Sequence, residues 1–292
     1  MFEYEGTLYR PPSEADALII QVTIGCAHNT CTFCTMYKEK KFRIRDEEEI
    51  IRELDEIAAS RYASYFTKCF FADGDALVLP TDRLIRLMEA VFSRFAGIRR
   101  VTVYGTASEV LHKSEEELKR LQKAGLDMIY IGAESGDDEI LKYIHKDVTC
   151  AELIASGQKL NACGIKSSVT LISGLGGRSK VEEHAKACAE LITGMRPTYC
   201  SFLTLRIYEG TPMYDEVVSG RFERITDDEV LEEMEIFLNH VDSPGTVFRS
   251  NHASNYLPLA GTFNEDIPNL IRTIEYAKQH GFHRAFRETG DL

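Results

Sequence analysis

Between residues 17 and 205 the chain alternates short apolar, β-rich runs with amphipathic runs of helical spacing. Residues 17–24, 65–72, 100–105, 128–131, 166–172 and 199–205 read as six strands. Helices are expected over 46–61, from 81, and over 114–124, 137–145, 150–163 and 180–193. Asp46 and Glu49 have the spacing of a capping box, and Ile50, Leu54, Ile57 and Ala58 recur on one helical face. Gly125 and Gly164 stand where helices stop. Strands that alternate with helices must lie parallel and be joined by right-handed crossovers, so the chain is α/β. An open doubly wound sheet and a partial β/α barrel both satisfy the pattern. Both gather ligands at the C-terminal ends of their strands.

The strand ends are where the chemistry-bearing residues fall. They carry a cysteine loop, Asp73-Gly74-Asp75, Thr106-Ala107-Ser108, Glu134-Ser135-Gly136, Ser173-Gly174-Leu175-Gly176-Gly177 and Arg206. The glycine-rich turn after residue 173 lacks the Lys-Ser/Thr ending of a P-loop and fails the dinucleotide fingerprint. After about residue 240 the repeat is expected to stop. Residues 1–240 are read as the catalytic domain, with its core at 17–215, and 241–292 as a short C-terminal capping extension with a helix near 266–280. In that extension Arg249, Asn251, His252 and Asn255 suit either the substrate side of a pocket or a plain polar cover.

Composition narrows the class. Of 292 residues, 44% are hydrophobic and 27% charged, ordinary for a globular protein. No apolar run approaches a membrane span, and Met1-Phe2-Glu3 does not open a secretory signal, so a cytoplasmic protein is expected. Its eight cysteines are then expected to be reduced. A net charge of −12 speaks against a nucleic-acid partner, which demands a basic face.

Cys26-Ala27-His28-Asn29-Thr30-Cys31-Thr32-Phe33-Cys34 sets three thiols in nine residues of polar loop. Three cysteines leave one iron of a cubane cluster open, and an open position is where metal chemistry occurs. A structural zinc site with His28 as fourth ligand is the alternative, and cysteines packed as small apolar residues are a third reading.

The loop and the strand-end segments together resemble the radical S-adenosylmethionine (SAM) superfamily. The likeness is to the group that includes oxygen-independent coproporphyrinogen oxidase and the methylthiotransferases. The usual first gap there is three residues, whereas here it is four. The resemblance implies a six-stranded partial (β/α)6 TIM-like barrel. It implies a [4Fe-4S] cluster held by Cys26, Cys31 and Cys34, with SAM on the fourth iron and Phe33 against adenine. Asp73, Gly74 and Asp75 would hold the amino group of SAM through backbone carbonyls and a carboxylate, that of Asp75, and Glu134 would take its ribose or amino group. Ser108, Ser135 and Arg206 would lie on the same cofactor side. Lys146 would either neutralise the SAM carboxylate or stand in solvent. The implied chemistry is reductive cleavage of SAM to a 5′-deoxyadenosyl radical that abstracts hydrogen from a small or medium-sized organic substrate. A tetrapyrrole-related oxidoreductase is one alternative and a non-catalytic zinc protein another.

No hydrogen donor is assigned. Cys69, Cys150, Cys163, Cys188 and Cys200 are dispersed, so one cluster is expected. An N-terminal cobalamin domain and an RNA-binding module are not expected. The run Lys38-Glu39-Lys40-Lys41-Phe42-Arg43-Ile44-Arg45 is expected to help dock an acidic flavodoxin or ferredoxin as electron donor.

Overall fold

The computed structural model describes residues 4–281. Met1–Glu3, read above for a leader, and residues 282–292 of the expected extension lie outside them. The chain divides into two compact units, Met1–Thr30 with Cys34–Ile131 and Lys159–Ser167, and Cys31–Phe33 with Gly132–Gln158 and Ser168–Leu292.

The first unit opens with β1 (Leu18–Gln21) and β2 (Thr23–Ile24), the latter paired antiparallel with β3 (Arg43–Ile44). The expected first strand is thus broken at Val22. Its first half joins the main sheet, and its second half turns away to close the base of the cysteine loop. Helix α1 (Glu47–Ala58) follows; the Asp46 carboxylate caps it by accepting from the Glu48 and Glu49 amides. The expected reciprocal bond from Glu49 is absent among the described residues, because the Glu49 carboxylate pairs with Arg45.

Strand β4 (Cys69–Ala72), α2 (Thr81–Arg94), β5 (Val101–Tyr104), α3 (Ala107–His112), α4 (Glu115–Lys123) and β6 (Leu126–Glu134) complete the series. The parallel order is β1-β4-β5-β6, with Ile19 opposite Phe70, Phe70 opposite Thr102 and Thr102 opposite Met128. One sheet face carries Ile19, Phe70, Ala72, Met128 and Tyr130. Tyr4 and Leu8, from the segment before β1, pack onto it.

The chain continues through α5 (Asp138–Tyr143), α6 (Cys150–Ala162), β7 (Lys166–Ser173), α7 (Val181–Met195), β8 (Tyr199–Thr204), α8 (Pro212–Val218), α9 (Asp227–His240), β9 (Val247–Ser250), β10 (Leu259–Thr262) and α10 (Ile267–His280). In the second unit β7 and β8 pair parallel, with Val169 opposite Cys200. The main sheet is mostly parallel, but it has eight strands instead of the expected six. Strand β9 lies parallel to β8, with Cys200 opposite Phe248, and β10 returns antiparallel to β9. The repeat therefore does not stop at 240. The sequence hides β9 because it has four residues and buries just Phe248 and Ser250.

A buried polar knot ties the helices of this unit to a strand end. Glu233 of α9 meets His184 Nδ1 of α7 at 2.7 Å. Its other oxygen accepts from the Ser173 hydroxyl and, at 3.0 Å, from the Gly174 amide at the exit of β7.

Candidate functional site

In the first unit the cysteine loop leaves β2 at Gly25 and is fixed there by Asp73. Asp73 follows β4 with φ of 65°, a left-handed conformation that a non-glycine residue adopts at a cost. Its carboxylate is fully buried. Oδ2 accepts from the Gly25 amide at 2.8 Å and from the Lys40 ammonium at 2.9 Å. Oδ1 accepts from the Gln21 amide at 3.2 Å. The next amide, Gly74, donates to the Gly25 carbonyl at 2.9 Å. A Cβ on Gly74 would lie 2.6 Å from Cys26 Cβ, so glycine is what lets this strand end touch the loop.

The Asp73 side chain is thus committed to the protein's own donors, and its backbone carbonyl is what remains for a cofactor contact. The same bonds correct the expectation for Lys40. That ammonium, 6% exposed, is held inside the unit and is no part of a docking face. Three other residues of the basic run also have internal partners. Arg45 binds Glu49 and Glu53, Arg43 binds Glu5, and Lys38 donates to the Asn29 carbonyl at 2.7 Å.

Asp75 is poised differently. It is 2% exposed, Oδ2 receives a long 3.5 Å contact from the Thr106 hydroxyl, and Oδ1 has no partner. Burial, with Glu109 adding repulsion, pushes its pKa up to about 7. Ser108 lies half-buried in the first turn of α3, which Thr106 caps. Tyr37, three residues past Cys34, is buried with its hydroxyl unpartnered.

In the second unit Cys31–Phe33 is stitched down by two backbone bonds. The Thr32 amide donates to the Ile144 carbonyl at 3.0 Å, and the Met213 amide donates to the Thr32 carbonyl at 3.1 Å. Phe33 packs against the cluster of Ile140, Ile144, Ile172, Leu205 and Met213. Glu134 ends β6 with φ of 68° and pairs with Lys146 at 3.1 Å, both side chains largely buried. Lys146 is therefore not the solvated lysine that one reading allowed. Ser135 is fully buried, and its hydroxyl accepts from the Asp137 amide at 3.0 Å, so it shapes the turn before α5. Gly136 is required by close approach: a Cβ there would stand 2.1 Å from the Ala187 carbonyl oxygen. Arg206 follows β8 by two residues, with its Nε buried and unpartnered.

All eight cysteines are free thiols; Cys31 is buried, Cys26 and Cys34 partly so. Among the described residues no three His, Cys, Asp or Glu side chains converge on one ion. A cubane does not require that, since each thiolate binds a different iron. His28, the fourth ligand of the zinc alternative, has its Nε2 2.9 Å from the Thr30 hydroxyl.

Sequence reasoning missed Gln21, Lys40 and Tyr37 as parts of this site. Gln21 did carry a signal, a polar residue closing an otherwise apolar buried strand. Lys40 was masked by the charged run around it.

The model of the radical SAM superfamily matches residues 20–189. A curated relative, 4′-phospho-dehydrooxetanocin synthase of Priestia megaterium, is 28% identical over 175 residues, 53% of this chain and 23% of that protein. Anaerobic magnesium-protoporphyrin IX monomethyl ester cyclase of Rubrivivax gelatinosus is 25% identical over 178 residues, 60% of this chain and 30% of that protein. The chain thus spans less than a third of the length of either. Among solved structures, a radical SAM methyltransferase from Kitasatospora setae, with cobalamin and a [4Fe-4S] cluster bound, superposes with a TM-score of 0.56 at 20% identity, covering 70% of this chain and 39% of that one. Methylornithine synthase superposes with a TM-score of 0.53 at 13% identity, covering 92% of this chain and 82% of that one. No described helix is long and apolar enough to cross a membrane.

Proposed function

Because the chain belongs to the radical SAM superfamily, an enzyme family that uses a [4Fe-4S] cluster and SAM, we propose that Cys26, Cys31 and Cys34 hold the cluster and that the enzyme abstracts hydrogen from a small or medium-sized organic substrate. The match over residues 20–189 carries this reading, since it spans the cysteine loop and four of the other five strand-end segments. It also removes the non-catalytic zinc alternative.

The residues present fit both groups. The loop offers three thiols, none of them in a disulfide. Asp75 offers a buried carboxylate oxygen that lacks a donor, the chemistry an amino group of SAM would satisfy. Bound there, cluster and SAM supply one-electron chemistry that ends in hydrogen abstraction. The chain's own residues do the placing. Asp73 and Lys40 hold the root of the loop at Gly25, and Gly74 lets the β4 exit lie against Cys26. Glu134, paired with Lys146, presents acceptors suited to a ribose diol. Phe33, seated on its apolar cluster, presents backbone to the adenine. Reduced flavodoxin or ferredoxin is the electron donor in this reading.

Each of Cys26→Ala, Cys31→Ala and Cys34→Ala should lose bound iron and 5′-deoxyadenosine formation in anaerobically reconstituted protein. Full iron loading in any one of them would exclude that cysteine as a ligand. A tetrapyrrole substrate is the second reading, favoured by the similarity to the protoporphyrin ester cyclase. It requires that magnesium-protoporphyrin ester stimulate 5′-deoxyadenosine release.

A further inference from the structure

Arg206 is anomalous in a chain with 46 acidic and 34 basic residues. Its neighbours in sequence and in the fold are mostly paired, yet no carboxylate lies within ion-pair distance of it among the described residues. Its Nε is buried without an acceptor. A buried donor left unmade costs about 1–3 kcal/mol, more for a charged group. Such a group is normally paired, or it waits for a ligand.

The segment after β9 is fastened beside it. The Thr204 amide donates to the Ser254 hydroxyl at 3.3 Å, and the Thr204 hydroxyl donates to Asn255 Oδ1 at 3.1 Å. The Asn255 amide donates to the Phe202 carbonyl at 2.7 Å. Asn255 is therefore committed to holding the loop. The loop it holds carries His252, two residues before the Ser254 that bonds Thr204, within the field of Arg206. His252 Nδ1 accepts from the Ser254 amide at 3.1 Å, so the neutral ring carries its proton on Nε2 and is a donor there. Burial first, and then the Arg206 charge, depress the His252 pKa, which keeps the ring neutral. Buried Tyr256 lies in the field of Arg206, of Arg224 and of the carboxylate of Asp227.

We infer that Arg206 and His252 form an oxyanion subsite in the second unit, which binds a carboxylate or phosphate group of the substrate. The planar guanidinium supplies a forked, permanently charged donor, and His252 Nε2–H supplies a neutral one. This deepens the proposed function by naming a chemical class of substrate, and it rests on that reading for the reaction itself. It reassigns Arg206 from the cofactor to the substrate.

The test is calorimetric titration of reconstituted, SAM-loaded enzyme with inorganic phosphate and, separately, with acetate, at ionic strength held constant with chloride. One of the two anions should bind, and which one does separates a phosphorylated from a carboxylated substrate. Arg206→Gln should weaken that binding about 10-fold or more. Arg206→Lys, which keeps the charge and loses the fork, should fall between, and His252→Gln should weaken it less than Arg206→Gln. Iron content and SAM affinity should stay within about twofold of the parent in every variant. Absence of binding of both anions up to about 50 mM overturns the inference. So does parental anion affinity in Arg206→Lys and Arg206→Gln. A loss of SAM affinity in step with anion affinity would return Arg206 to the cofactor. Failure of the cluster or of SAM cleavage would show in iron content and 5′-deoxyadenosine, independently of the anion titration.

Discussion

At the scale of single residues, the first unit concentrates its cost in two carboxylates. Lys40 and Asp73 are a buried ion pair, and such a pair is strongly destabilising when one partner alone is removed. Lys40→Met should lower the stability of the apoprotein by about 3–5 kcal/mol in urea unfolding. Adding Asp73→Asn should recover part of the loss, because asparagine tolerates the left-handed backbone and its carbonyl can still accept from Gly25. A double variant no more stable than the single would mean that Asp73 is not the residue left unpaired.

Asp75 makes a prediction about pH. Its pKa of about 7 is raised relative to the unfolded chain, so the folded state holds the proton while the unfolded state has lost it. Its contribution to the stability of the SAM-free protein is complete below about pH 4 and is lost as pH rises through about 7. On the proposed assignment SAM affinity runs the opposite way. It should rise through about pH 7, as the carboxylate becomes a pure acceptor. Asp75→Asn should flatten that profile. A parental profile in the variant would remove Asp75 from the SAM contacts.

At the scale of elements, α9 acts on a strand end through one side chain. Glu233→Ala strands the Gly174 amide, the Ser173 hydroxyl and His184 together in the core. Losing several buried partners at once should cost about 3 kcal/mol or more. Glu233→Gln keeps an acceptor and should cost distinctly less. Equal losses in the two variants, read from urea midpoints, would make packing rather than hydrogen bonding the role of this residue. The elements themselves were legible to different degrees. The six expected strands are present because each carries buried apolar residues, in a consecutive run as in Leu18–Ile20 and Cys69–Ala72 or at every second position as in Tyr199–Thr204. Helix α3 was missed because its six residues directly follow a strand-end motif that drew the reading to itself. The true partners of Asp73 were not legible at all. Gln21 and Lys40 lie 52 and 33 residues away, and no local pattern couples charges across such a distance.

At the scale of the whole molecule, acidity and internal pairing shape what the surface can do. With a net charge of −12 and with Lys40, Arg43 and Arg45 paired inside, the run after the cysteine loop is far less basic in space than in sequence. Lys41 is its one basic side chain with neither a hydrogen-bond nor an ion-pair partner among the described residues. Electrostatic steering of an acidic electron carrier must then rely on a small local field inside a repulsive one, and should be correspondingly sensitive to salt.

The two late strands have a further consequence. Parallel strands leave a sheet open to growth on its flank. Here β9 covers the flank of β8, and β10 turns back on β9 with a short, glycine-bearing edge. Residues 247–262 are thus a stopper on the sheet and not an ornament on it. A protein ending at His240 would bare the main chain of β8 from Tyr199 to Thr204, a run of alternating buried and half-exposed side chains. Such an edge templates pairing with other chains. The shortened protein should accumulate in the insoluble fraction on expression, and its soluble remainder should elute as large assemblies. A soluble, monodisperse species would show that β8 can stand as an edge. Otherwise the last fifth of the chain is what keeps one copy of this enzyme from adhering to the next.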